Sequence, residues 1–107
     1  MLAIYKNRYV ENKKHYIELS IYGDYINEVN DLLIRDRNDV LREYSFAIKI
    51  NSNGEGVAVI DESKLNDIPP SSYAIFLRYK GYNRINIRKK DISFYTTINS
   101  NLGLKIQ

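Results

Sequence analysis

His15-Tyr16-Ile17-Glu18-Leu19-Ser20-Ile21-Tyr22 is the stretch that sets the fold class. Ile17, Leu19 and Ile21 alternate with Tyr16, Glu18, Ser20 and Tyr22. Apolar residues at a period of two put one side of an extended chain in a core and leave the other wet, so residues 15–22 read as a half-buried strand. Residues 2–9 upstream are strand-like with weaker alternation, and the polar run Glu11-Asn12-Lys13-Lys14 between the two suits a hairpin turn.

Downstream the rhythm changes at Gly23-Asp24. Asp24 is a residue type that caps helices, and Glu28 and Asp31 suit the positive end of a helix dipole. Ile26, Val29 and Leu33 recur at three- and four-residue spacing. This pattern predicts a helix from about 24 to 36. The spacing also continues through Val40, Leu41 and Tyr44, but the charged break Arg35-Asp36-Arg37-Asn38-Asp39 favours an end near 36.

Alternation returns at Tyr44, Phe46, Ile48 and Ile50, and again at Val57 and Val59. The turn-rich run Asn51-Ser52-Asn53-Gly54-Glu55-Gly56 joins them into a hairpin. Residues 61–72 form a connection with room for a short helical turn at 62–66, and Pro69-Pro70 excludes regular helix or central strand there. Residues 73–80, 84–89 and 92–98 read as further strands. Leu102, Leu104 and Ile106 add a last one, placed either to close the sheet or to pair with a second copy. No strand–helix–strand series appears, which argues against a doubly wound parallel sheet. The reading is an α+β fold: a mainly antiparallel sheet or partly open barrel of about six to seven strands, with one helix after the second strand, in a single domain spanning 1–107.

Composition narrows the function classes. The chain has no cysteine, which excludes disulfides, thiolate metal sites and cysteine nucleophiles. No apolar run approaches the ~20 residues that span a bilayer, and no secretory leader pattern is present, so a cytoplasmic protein without membrane contact is expected. Ten tyrosines, no tryptophan, and abundant Ile, Asn and Lys form the bias typical of AT-rich coding DNA, which suits a phage or mobile element as well as a low-GC bacterium.

Catalysis finds little support. His15 is the only histidine and follows Lys13 and Lys14, a poor setting for a general base. Asp61, Glu62 and Lys64 offer the carboxylate-and-lysine set with which some nucleases hold Mg²⁺, but Glu11-Asn12-Lys13 has the same loose spacing, so the set reads as a polar loop. Asn53-Gly54-Glu55-Gly56 lacks the lysine of a phosphate loop and reads as a turn. The expectation is a binding protein with no catalytic residue, metal or cofactor.

Charge concentrates in one place. Arg78-Tyr79-Lys80-Gly81-Tyr82-Asn83-Arg84-Ile85-Asn86-Ile87-Arg88-Lys89-Lys90 contains no acid, whereas the net charge of the whole chain is only +3. A three-residue loop at Gly81-Tyr82-Asn83 sets Lys80 against Arg84, Tyr79 against Ile85 and Leu77 against Ile87, matching apolar with apolar. Arg78, Lys80, Arg84 and Arg88 then share one face with Asn86, and Tyr82 tips the hairpin. Arg78, Lys80, Tyr82, Arg84, Arg88, Lys89 and Lys90 are therefore the candidate contact residues. Like charges facing each other cost up to ~1 kcal/mol per pair, so an offset is needed from carboxylates in the fold or phosphates outside it.

Two functions follow from this surface. One is docking of the hairpin on nucleic acid or a nucleoprotein, by phosphate neutralisation and tyrosine stacking. The other is contact with a protein partner, acidic or otherwise. An inhibitor made by a phage or mobile element, blocking a nucleic-acid-processing host enzyme, is one form of it, with tyrosine and arginine as anchors. Oligomeric state is not legible.

Overall fold

The computed structural model describes residues 1–81, 83–88, 95, 96 and 102–106. The strands of the expected hairpins are present. β1 (Leu2–Glu11) and β2 (Lys14–Tyr22) pair antiparallel around a two-residue turn, in which Asn12 and Lys13 take φ of 52° and 61°. After β3 (Val29–Asp36) come β4 (Glu43–Ile50) and β5 (Glu55–Asp61), which form the second hairpin. Helix α1 (Glu62–Asn66) occupies the turn expected at 62–66, and Asp61 caps it by accepting from the Ser63 backbone N–H at 3.0 Å. β6 (Ser71–Tyr79) and β7 (Asn83–Arg88) form the basic hairpin. β8 (Tyr95–Thr96) and β9 (Leu102–Ile106) complete the described strands, and β9 pairs with β6 of its own chain.

The region 24–36 corrects the sequence reading. Asp24 caps nothing; a 3₁₀ turn at Ile26–Glu28 leads directly into β3. The spacing of Ile26, Val29 and Leu33 mimics a helix, but the deciding feature is the unbroken run Leu32-Leu33-Ile34, all three buried. Consecutive buried residues mark a strand covered on both faces. β3 also meets a demand no local pattern expresses: it pairs with β4 on one side and β6 on the other. A helix there would leave both of those edges open.

Pairing with β6 closes the barrel. The ring runs β3-β4-β5-β2-β1-β7-β6 and back to β3, giving a closed barrel of seven strands. All contacts in the ring are antiparallel except β1 with β7, which is parallel at Ala3–Ile87 and Ile4–Arg88. A barrel this narrow is filled by its own side chains. Tyr5, Ile17, Leu19, Leu32, Ile34, Tyr73, Ile75, Leu77 and Ile87 are almost fully buried within it. Gly54 locks one end: its φ is +82°, its carbonyl accepts from the Ile21 N–H at 2.8 Å, and a Cβ there would lie 2.2 Å from the Ile21 carbonyl oxygen.

Candidate docking surface

Alternation along β6 and β7 turns Leu77, Ile85 and Ile87 into the barrel and Arg78, Arg84, Asn86 and Arg88 outward. The shared face expected from sequence is therefore present, but the register is not the expected one. Tyr79 faces Asn83, Arg78 faces Arg84 and Leu77 faces Ile85. After Tyr79 the chain leaves β6 through Lys80 (φ 51°) and Gly81 (φ 79°), both left-handed, and Asn83 already belongs to β7. Matching apolar with apolar cannot separate the two registers, because a two-residue shift preserves every face.

The facing arginines are offset from within the fold. Arg78 forms a two-pronged ion pair with Asp31 on β3, Nε to Oδ1 at 2.9 Å and Nη2 to Oδ2 at 2.5 Å. Arg84 on β7 bonds Glu43 on β4 across the outer side of β6 and β3. By register, Leu33 and Phe76 lie in the row between them, and the Arg35 guanidinium sits 5.2 Å from the Phe76 ring centre. This layer of charged side chains accounts for the burial of Leu33 on the outside of the barrel. The offsetting acids are Asp31 and Glu43, because closure brings β3 and β4 to this side. Lys80 leaves the arginine face altogether: its ammonium lies 5.4 Å from the Tyr25 ring centre at the barrel end. Arg88 is exposed on the face, and Tyr82, Lys89 and Lys90 lie outside the described residues.

A second surface lies at the β3–β4 connection, where the sequence reading saw only a charged break. Val40 is 63% and Leu41 91% exposed, although both are aliphatic. The loop beneath them is heavily tied. Asp36, buried at the end of β3, accepts from the Ser71 hydroxyl at 2.6 Å, the Asn38 N–H at 2.9 Å and the Arg42 guanidinium at 3.4 Å. Its own N–H donates to the Arg42 carbonyl at 3.0 Å, the Arg37 N–H donates to the Ser72 carbonyl at 2.9 Å, and Asp39 Oδ1 accepts from the Leu41 N–H at 3.2 Å. The hydrogen bonds from Ser71 and Asn38, with Arg42 beside them, hold the Asp36 carboxyl below its ordinary pKa. An apolar tip on a braced loop has little conformational freedom left to lose in a contact. The signal in sequence was the pair Val40-Leu41 bracketed by Asn38-Asp39 and Arg42-Glu43: two apolar residues inside a turn-rich polar run.

Of the residues weighed for catalysis, Asp61 caps α1 and His15 lies within β2. Asp61 accepts from both the Ser63 N–H and hydroxyl, at 3.0 and 2.9 Å, and these bonds lower its pKa. His15 pairs in the ladders with Val10 and Ile60. Among the described residues, no helix is long and apolar enough to cross a membrane. No known protein-family model matches the chain, and no curated protein matches it in sequence.

Proposed function

We propose that this protein is a small non-enzymatic binding module that acts by docking on a protein partner. The observation that carries the reading is the Val40–Leu41 tip, exposed to solvent on a loop fixed by the Asp36 network. Single exposed aliphatic residues are ordinary; what distinguishes this pair is the hydrogen-bonded loop that presents it, which lowers the ordering cost of a contact. The AT-rich bias and small size suit an inhibitor encoded by a phage or mobile element. Capture from extract of the source cell tests the reading. Nuclease-treated extract should yield a partner on the immobilised wild-type chain that is lost at least about tenfold with Leu41→Asp. Equal recovery on both chains would remove it.

Nucleic-acid docking through the arginine face is the second reading. It is favoured by the excess of Arg35, Arg78, Arg84 and Arg88 over Asp31 and Glu43 on that face. It ranks lower because phosphates would have to displace carboxylates already bonded to Arg78 and Arg84.

A further inference from the structure

The seam between β4 and β5 is incomplete. Their pairing runs from Ile50–Gly56 to Ile48–Ala58 and stops. β4 nevertheless continues back to Glu43, held by β3 through Ser45–Leu33 and Glu43–Arg35. β5 likewise continues to Asp61, held by β2 through Val59–Tyr16 and Asp61–Lys14. Beyond Ile48 and Ala58 the two strands therefore part, and α1 with its following turn fills the gap only in part. Leu65 and Ile68 pack against the core, leaving a groove of about 370 Å³ whose apolar lining includes Tyr44, Phe46 and Ile68, with Lys64 and Asp67 also on its wall.

The backbone of β4 is aimed into this groove. The Asn51 N–H donates to the Glu55 carbonyl on the β5 side, whereas the Arg42 carbonyl accepts from Asp36 on the β3 side. Main-chain groups alternate sides along a strand, so the odd-numbered residues present theirs toward β5: the Ala47 carbonyl accepts the last ladder bond, from Val59 beside the Ile48–Ala58 pair, while the Ala47 N–H and both groups of Ser45 face the gap where β5 has departed. Both side chains are small and exposed, which leaves the approach clear.

We infer that this seam accepts an extended strand of the partner protein, added to the free edge of β4 between β4 and α1; the inference rests on the protein-docking reading. An open strand edge is complementary to one kind of occupant, a backbone in the extended conformation with matching N–H and C=O spacing. Its inward side chains would be apolar, to meet Tyr44, Phe46 and Ile68, and its outward ones polar. Lys64 balances Asp67 on the groove wall and Glu43, the other charged lining residue, is paired with Arg84, so no strong net charge is called for in the partner segment. Val40 and Leu41, in the loop that enters β4, would hold the partner beyond the end of the added strand.

The test is selection of displayed random peptides of about nine residues on the immobilised full chain, followed by amide exchange on the chain free and bound to an enriched peptide. Ser45 and Ala47 amides should exchange freely in the unbound chain and slow at least about tenfold with peptide. Ser45→Pro removes an N–H the barrel does not use, and should weaken the peptide at least about tenfold while the unfolding midpoint holds. The exchange measurement stands alone if that variant fails to fold. Enriched peptides that leave both amides unprotected would overturn strand addition and leave protein docking standing. Slow exchange of both amides in the free monomer, or their protection by a concentration-dependent dimer, would also overturn it. Failure to enrich any peptide would overturn strand addition, while the docking reading is decided separately by the Leu41→Asp capture.

Discussion

Arg78 and Asp31 lie 47 residues apart in sequence and directly opposite in space, joined by two hydrogen bonds across β6 and β3. The planar guanidinium matches the carboxylate edge to edge, which lysine cannot reproduce. The pair is partly exposed, so its contribution is modest. A double-mutant cycle with Arg78→Ala and Asp31→Ala should give a coupling of about 1 kcal/mol in urea unfolding. Arg78→Lys should recover less than half of it. A coupling near zero would mean the pair does not hold in solution.

The two arginines of β7 should behave differently. Arg84→Glu places a carboxylate against Glu43 and exposes the row containing Leu33, and should destabilise by about 1–2 kcal/mol. Arg88→Glu, on an exposed side chain, should stay within about 0.5 kcal/mol of wild type. Equal thermal midpoints for the two variants would contradict the assigned Arg84–Glu43 contact.

Gly54 tests barrel closure. Gly54→Ala combines an unfavourable positive φ with a Cβ 2.2 Å from the Ile21 carbonyl oxygen. The cost should exceed about 2 kcal/mol, with faster amide exchange at Ile21, whose N–H bonds the Gly54 carbonyl. Gly81→Ala also sits at positive φ but meets nothing within 4 Å, and should cost only about 1 kcal/mol.

Asp36 makes the braced loop acid-sensitive. Its folded pKa lies below the ordinary value of 3.8, chiefly through the Ser71 hydrogen bond. A carboxylate with a depressed folded pKa stabilises the fold fully above its unfolded pKa, and the stabilisation is lost as pH falls through the folded value. Stability should therefore drop below about pH 4, and Asp36→Asn should flatten that limb. Protection factors of the Asn38 and Leu41 amides, corrected for the intrinsic pH dependence of exchange, should fall over the same pH range, because both bonds belong to the loop that Asp36 braces.

Most strands among the described residues were legible because they carry their own alternation; the pairs Ile17 and Leu19, Phe46 and Ile48, and Ile75 and Leu77 repeat one local rule, whereas most of the strand expected at 92–98 lies outside the described residues. β3 was not legible. Its identity depends on β4 and β6 flanking it, and the spacing of Ile26, Val29 and Leu33 fits a helix equally well. The arginine face survived the two-residue register shift because faces repeat every second residue, whereas the partners of Arg78 and Arg84 did not, since Asp31 and Glu43 arrive only on closure. The role of Asp36 was hidden for the same reason: Ser71 is 35 residues away.

Fluorescence polarisation of labelled single- and double-stranded DNA and RNA, at low and physiological salt, tests most directly whether the arginine face is spent on internal ion pairs and the module serves a protein partner. The account predicts at most weak binding that vanishes as salt approaches ~0.15 M. Binding that survives physiological salt, prefers one nucleic-acid form and is lost on Arg88→Glu would contradict it and make the basic hairpin the functional site.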